Sequence, residues 1–319
     1  MGKTMTPAQI LRELEPVAEA NLNRHLSLAK DWHPHDYVPW NEGRNFAAMG
    51  GTDWSPEQSG LSEVARAAVV TNLLTEDNLP SYHRLISTAF SRDGAWRTWV
   101  DRWTAEENRH GIALRDYLVV TRGVDPVALE QARMACVSQG VDNPNGTGDH
   151  SVLPGVAYVT FQELATRVSH RNTGRVCADP VADRLLSRIA ADENLHMVFY
   201  RNICGAALDL VPDAALSAIA AVIRNFRMPG AGMPDFRRNS VLIAKHGIYD
   251  LRQHLDEVVL PVLRKWNIFD RNDFGPAGEQ TRDALAAHLD ALAKDVIRFE
   301  EQRDRALARD AARAARNSG

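Results

Sequence analysis

The sequence predicts an all-α protein, a four-helix bundle with additional flanking helices, on two observations. Apolar residues recur at three- and four-residue spacing through most of the 319 residues, whereas period-two alternation bounded by turn residues is hard to find. A Glu and a Glu-x-x-His pattern, separated by about thirty residues, also occur twice, a spacing that antiparallel helices bring to one height.

The predicted helices run about 7 to 29, 58 to 90, 94 to 121, 126 to 139, 152 to 174, 180 to 208, 212 to 227, 250 to 265 and 279 to 315. Breakers separate them: the Trp40 to Trp54 segment with Gly43, Gly50 and Gly51, then Arg92-Asp93-Gly94, Asp142 to Gly148, and Pro229 to Pro234. Ser55, Asp93, Ser151 and Asp179 stand where N-caps would start the following helices. No segment reads as a flexible linker, so 1–319 is expected to be a single helical domain, with the bundle core at approximately 58–208 and C-terminal helices at approximately 212–315.

Composition narrows the classes. The chain is 45% hydrophobic and 24% charged, with 37 Lys+Arg against 41 Asp+Glu and a formal net charge of −4. These values exclude collagen-like, disordered and disulfide-scaffold classes. A mildly acidic balance argues against nucleic-acid binding, which needs a basic face. The longest nearly apolar stretch, Ala214 to Ile223, is ten residues and is closed by Asp213 and Arg224, far short of the roughly 20 that a membrane span needs. Cys136, Cys177 and Cys204 are odd in number and lack metal-type spacing, which suits reduced thiols in the cytoplasm. No apolar signal-peptide region follows Met1. Gly2 with Thr6 and Asn145-Gly146-Thr147 match short modification patterns that read as chance.

The chemistry lies in Glu107-Asn108-Arg109-His110 and Glu193-Asn194-Leu195-His196. On a helix, i and i+3 are neighbours roughly 5–6 Å apart at Cβ, so each carboxylate and imidazole can converge on one metal ion. One such motif is weak, since exposed helix faces carry Glu and His at that spacing by chance. Here Glu76 precedes Glu107 by 31 residues and Glu163 precedes Glu193 by 30, and the whole pattern recurs after 87 and 86. If each first Glu sits mid-helix, the chain runs out about 15 residues, turns, and returns with the second motif level with it. Four Glu and two His then meet in the bundle, the ligand set of ferritin-like carboxylate sites. Four core carboxylates need a counterion, and two divalent ions cancel them. The oxygen and imidazole donors suit iron or manganese, and iron supports oxygen activation. The bland alternative pairs these Glu residues with surface arginines such as Arg84, Arg109 and Arg188, leaving the doubled spacing an accident.

Long strings around these positions resemble the soluble acyl-acyl carrier protein desaturase family, which includes plant stearoyl-ACP desaturase. They are residues 74–82 (LTEDNLPSY), 103–111 (WTAEENRHG), 161–166 (FQELAT), 169–173 (SHRNT) and 190–196 (AADENLH). The likeness covers approximately 30 to 250 and is closer to bacterial members. Beyond it the chain ends in an Ala/Arg-rich helix. The resemblance implies that Glu76, Glu107, His110, Glu163, Glu193 and His196 hold two Fe ions. It also implies a cytoplasmic homodimer that takes electrons from ferredoxin and uses O2 to place a cis double bond in a fatty acyl chain on acyl carrier protein. An external donor is needed because O2 reduction to two waters takes four electrons, of which the alkane supplies two, and no flavin or nicotinamide fingerprint is visible. Thr166 matches a threonine thought to manage protons at oxygen in that family, while Trp32 and Asp192 match its electron path from surface to iron. Read on their own, Thr166 is equally a packed or back-bonding threonine, Trp32 a packing anchor, and Asp192 an acid orienting a ligand His. His33, His35, His83 and His170 read as surface residues or neighbours of the site.

An acidic carrier must dock through cations. Between Arg224 and Arg252 the chain holds six cations against two acids, and Arg224, Arg227, Arg237 and Arg238 are the expected docking residues, a solvated face being the equal alternative. Arg227-Met228-Pro229 also resembles the family's basic helix end near the substrate entrance. Acyl length would depend on side chains such as Leu85, Ala89, Val156 and Val159. Other readings stay open: another di-iron oxygenase, hydroxylating or N-oxygenating, or a ferritin-like iron oxidation and storage protein. Leu114, where a radical-generating ribonucleotide reductase subunit would carry tyrosine, argues against that class.

Overall fold

The computed structural model describes residues 5–140, 151–228 and 235–317. The expected breakers Asp142 to Gly148 and Pro229 to Pro234 lie outside the described residues, as do Gly2 and the Asn145 pattern. Twelve α-helices are present and no strand occurs among the described residues. They are α1 (Pro7–Leu28), α2 (Glu63–Asp77), α3 (Leu79–Ala89), α4 (Gly94–Val120), α5 (Pro126–Gln139), α6 (Val152–Cys177), α7 (Pro180–Leu210), α8 (Pro212–Asn225), α9 (Phe236–Lys245), α10 (Leu251–Gln253), α11 (Leu260–Lys265) and α12 (Pro276–Asn317). A π-helical segment, His254–Val259, joins α10 to α11. No helix among the described residues is long and apolar enough to cross a membrane.

Three elements differ from expectation. The helix expected over 58 to 90 is broken into a 3-10 turn at Pro56–Gln58, then α2 and α3. Pro80 lacks an N–H and stands in the first turn of α3, while Asn78 leaves helical geometry with φ −78° and ψ 10°. Ser55 accordingly caps the short turn, and Ser62 caps α2 by accepting from the Ala65 amide at 3.2 Å. Helix α9 fills a stretch for which no helix is expected. Asp93 holds the N-cap position of α4 without a capping bond from its side chain, and Glu15 of α1 reaches across to accept from the Ala95 amide at 2.7 Å. Asp179 caps α7 as expected, accepting from the Val181 amide at 2.8 Å.

Helices α2, α4, α6 and α7 form the bundle, with α6 and α7 packed along their length and α1 laid against α7 and α4. Two apolar cores fill it. One contains Trp96, Trp99, Phe161, Phe199 and Tyr200, with Trp99 and Phe199 stacked at 3.6 Å between ring centroids. The other contains Trp32, Leu73, Leu114, Leu118, Leu185 and Ile189. Along α2, α4 and α7 the chain passes from one core to the other at residues 74–78, 104–112 and 190–196, and the polar residues of interest lie in that gap. A layer of buried charge is thus sealed above and below by apolar packing, where the local dielectric is low.

Candidate metal centre

Helix α4 contributes Glu107 and His110, α7 contributes Glu193 and His196, α6 contributes Glu163 from its middle, and α2 contributes Glu76 from its last turn. Glu76 is therefore not mid-helix. The outward run is completed by α3, and α4 returns. Gly111 permits the close approach of α2 to α4, since a Cβ there would meet Asp77 Oδ1 at 2.9 Å and Glu76 Cβ at 3.7 Å.

The six side chains meet as the doubled spacing predicts. None is more than 7% exposed. Glu76, Glu107, His110 and Glu193 form one group, and Glu107, Glu163, Glu193 and His196 form another, the donor atoms of each group lying within 4.8 Å of one another. Glu107 and Glu193 are common to both. His110 Nδ1 stands 3.3 Å from Glu193, 3.4 Å from Glu107 and 3.6 Å from Glu76. His196 Nδ1 stands 2.7 Å from Glu107 and 3.4 Å from Glu163.

Glu107 Oε1, His110 Nδ1, Glu163 Oε2, Glu193 Oε1 and His196 Nδ1 are buried without a hydrogen-bond partner. Five orphaned donor atoms aimed into one gap would be costly in a purely structural layer. They fit divalent cations, to which His110 and His196 would each offer an imidazole nitrogen and Glu76, Glu107, Glu163 and Glu193 would offer carboxylate oxygens.

Protein groups behind the donors fix their orientation. His110 Nε2 faces Asp192 at 3.4 Å and His196 Nε2 faces Glu106 at 2.9 Å, so each imidazole can donate from Nε2 and keep the Nδ1 lone pair for a metal. Asp192 also accepts from Trp32 Nε1 at 2.7 Å, from Arg109 at 3.0 Å and from Arg188. The Trp32 ring stacks on His110 at 6.2 Å between centroids. Glu106 accepts from Arg102 Nε at 2.6 Å and faces His25 at 3.0 Å. Trp103 donates to Glu163 at 3.1 Å, and His170 lies 3.0 Å from Glu76. Thr166 Oγ1 is 2.8 Å from Glu193 Oε2, 3.0 Å from the Glu163 carbonyl and 3.2 Å from that of Gln162. Its single proton serves one acceptor at a time, and the shortest bond is to the carboxylate.

Without metal, burial pushes the Glu107 carboxyl up to about 7, reinforced by the Glu193 charge. Burial and the charges of Glu107 and Glu193 push Glu163 up as well. Glu76 goes the other way, because its burial is outweighed by the two neighbouring imidazoles, His110 and the hydrogen-bonded His170. His110 and His196 are raised despite burial, held by Asp192 and Glu106 on one side and Glu107 on the other.

Two cavities touch the centre. One is lined by Leu79, Tyr82, Leu85, Ile86, Tyr158 and Val159 and reaches Glu76 and Glu107. Of the residues expected to set acyl length, Leu85 and Val159 line it, whereas Val156 is buried in the core and Ala89 packs against that core. The second cavity, about 270 Å³, lies under α9. It runs from Phe236, Ser240 and Ile243 past Asn72 and Ser169 to Thr166, His170 and Glu76.

The arginines expected to dock a carrier are all exposed. Their surroundings correct the local excess of charge: Arg238 pairs with Glu63 at 2.9 Å, Lys245 with Asp310, and Arg252 with Glu300 at 2.8 Å. Arg224, Arg227 and Arg237 close no ion pair among the described residues. Glu106, His25 and the pairing of His170 were missed by sequence reasoning. For Glu106 a signal exists, since an acid precedes the ligand Glu in both motifs, Glu106-Glu107 and Asp192-Glu193.

An all-helical bundle whose four core helices converge four carboxylates and two imidazoles on a sealed polar layer defines the class: a ferritin-like carboxylate protein. Residues 6–316 match the family described as fatty acid desaturase, and the chain belongs to that family. It is 56% identical over 315 residues to the acyl-acyl carrier protein desaturase DesA1 of Mycobacterium tuberculosis, covering 98% of this chain and 93% of that one. It is 32% identical over 317 residues to a chloroplastic stearoyl-acyl carrier protein 9-desaturase of Arabidopsis thaliana, covering 93% and 75%. The X-ray structure of acyl-ACP desaturase DesA2 from Mycobacterium tuberculosis superposes with a TM-score of 0.70 at 34% identity, over 85% of this chain and 98% of that one. The protein is therefore an enzyme of the acyl-ACP desaturase family.

Proposed function

We propose that this chain is a di-iron, O2-dependent desaturase that places a cis double bond in a fatty acyl chain carried by acyl carrier protein, with electrons from a ferredoxin-type donor. The observation that carries the reading is the pair of four-donor groups sharing Glu107 and Glu193, with five of their atoms orphaned. Glu76 and His110 would hold one iron, Glu163 and His196 the other, and Glu107 and Glu193 would lie between them. Bound there, the two irons supply stepwise electron transfer and reduction of O2. The balance is one acyl CH2–CH2 unit, O2, two electrons and two protons giving one alkene and two waters.

The chain's own residues do the rest. Apolar walls at Tyr82, Leu85, Ile86 and Val159 exclude water and hold acyl carbons beside Glu76 and Glu107. Thr166, bonded to Glu193 and lining the cavity under α9, supplies a proton-carrying hydroxyl at the centre. Asp192 and Glu106 keep each histidine in the tautomer that offers Nδ1. Trp32, bonded to Asp192 and stacked on His110, provides the route by which electrons enter. Arg224, Arg227, Arg237 and Arg238 receive the acidic carrier. The same reading takes the protein as a cytoplasmic homodimer with the chain acting as one helical domain.

The test is anaerobic reduction of the iron-loaded protein followed by a single turnover with a ladder of acyl-ACPs, analysed by mass spectrometry. A product lighter by two hydrogens at one chain length supports the reading. An oxygenated product, or oxidation of iron with no change in any acyl chain, replaces it.

A further inference from the structure

The last third of α12 poses a problem. Between residues 301 and 316 only Arg303 and Ala306 are even half-buried, so this stretch of helix contributes almost nothing to the core. Yet it is fastened down. Arg303 reaches the buried Asp250 at 3.0 Å, Glu300 takes two bonds from Arg252 at 3.0 and 2.8 Å, and Asp310 pairs with Lys245. All three fastenings use one side of α12 and tie it to α9 and α10. Its other residues include Arg305, Arg309, Arg313 and Arg316, which follow one another at intervals of four, four and three. That spacing gathers them into one stripe about 16 Å long. Arg305 meets Glu301 at 3.2 Å on the exposed surface, and Arg309, Arg313 and Arg316 close no ion pair among the described residues. From residue 305 to 317 the only acid is Asp310, and Lys245 already holds it.

The stripe has an address. Phe236, Ser240 and Ile243 of α9 roof the 270 Å³ cavity that runs to Thr166 and Glu76, and Lys245, half a turn beyond Ile243, holds α12. The arginines therefore ride on a helix that is tied to the roof of that cavity through Lys245. Arg237, which closes no ion pair among the described residues, is exposed on α9 next to Phe236 of that roof.

We propose that the Arg305, Arg309, Arg313 and Arg316 stripe of α12 is a second docking strip for the acidic acyl carrier protein, added to Arg224, Arg227, Arg237 and Arg238, holding it beside α9 while its acyl chain enters the cavity under that helix, which shares Thr75 and Glu76 with the apolar cavity at Leu85 and Val159. The proposal rests on the carrier-dependent reading given above. Charge complementarity and the neighbouring cavity select this occupant. An electron donor would approach Trp32, whose partners Tyr37, Arg109, His110 and Asp192 belong to neither α9 nor α12. An anionic membrane is less well served, because Leu307 is the one large apolar side chain on this stretch.

The experiment measures binding of fluorescently labelled palmitoyl-acyl carrier protein to the metal-loaded full chain, anaerobically and without donor, so that nothing turns over. Two variants are compared with wild type: Arg305→Glu/Arg309→Glu/Arg313→Glu/Arg316→Glu, and the same four positions changed to Gln, which keeps the helix. The expected result is a Kd raised at least tenfold by reversal and about threefold by neutralisation, with a flatter salt dependence and unchanged metal content. A Kd equal to wild type in both variants overturns the strip. So does an unchanged Kd accompanied by slower reduction by ferredoxin, or by lost binding to phosphatidylglycerol vesicles. Wild-type protein that binds the carrier but desaturates nothing removes the reading of the reaction, and the strip still stands or falls on the Kd.

Discussion

Glu106 Oε2 lies 2.9 Å from His196 Nε2, and the acid that does this immediately precedes Glu107 on the opposite helix. Asp192, immediately before Glu193, does the same for His110 at 3.4 Å. Each motif thus supplies a ligand pair to one side of the centre and a support to the histidine of the other. Replacing Glu106 by Gln should weaken the metal held by His196 about 10- to 100-fold while sparing the His110 side. Metal titration followed by anomalous scattering would show it, and equal loss at both positions would refute the division.

Thr166→Val keeps the side chain's shape and removes the hydroxyl that bonds Glu193. Two metals per chain should still bind, with acyl-ACP affinity unchanged, while alkene formed per electron consumed falls and hydrogen peroxide rises. Normal coupling in this variant would reduce Thr166 to a packing role.

Metal removal should reverse the pH dependence of the centre's contribution. In the metal-free protein Glu107 titrates near 7 against an ordinary 4.5, so the folded state binds the extra proton. Its contribution is fullest below pH 4.5 and is lost as pH rises through 7. Metal binding displaces that proton and strengthens with pH. The gap in Tm between loaded and metal-free protein should therefore widen from pH 6 to pH 8, and a gap independent of pH would contradict the assignment.

His254, stacked on Phe226 and bonded to Tyr249 at 2.9 Å, is held neutral by burial, which lowers its pKa from 6.5 to about 4. The unfolded chain binds the proton first, so this contribution is complete above pH 6.5 and disappears as pH falls through 4. It amounts to on the order of 3 kcal/mol. His254→Gln should flatten the loss of stability between pH 6.5 and 4 in urea titrations, and an unchanged slope would mean that other groups carry it.

The convergence of the six side chains was legible because their pattern is local and periodic: i, i+3 within a helix and thirty residues across a turn. The break at Asn78 was visible as Pro80, yet the surrounding apolar period read straight through it, and only packing shows that the chain bends there. His25 faces Glu106 across 81 residues, a distance no period encodes. The cation excess near Arg237 is smaller in the folded chain than in the sequence window for the same reason. A window of sequence sums its own charges, whereas Arg238, Lys245 and Arg252 find acids 175, 65 and 48 residues away. Helix α9 is ten residues long with one buried side chain, Ile243, too little apolar signal to announce itself.

The break between α2 and α3 also makes the six donors mechanically unequal. Five ride on α4, α6 and α7, with helical turns continuing on both sides of them, and their backbones cannot shift without disturbing a long rod. Glu76 sits in the final turn before Asn78, beside the cavity roofed by α9. The cage therefore has five donors on continuous rods and one, Glu76, at a helix end. Glu76 is also the one donor of the six that lines both cavities, so whatever enters through either of them passes the end of α2.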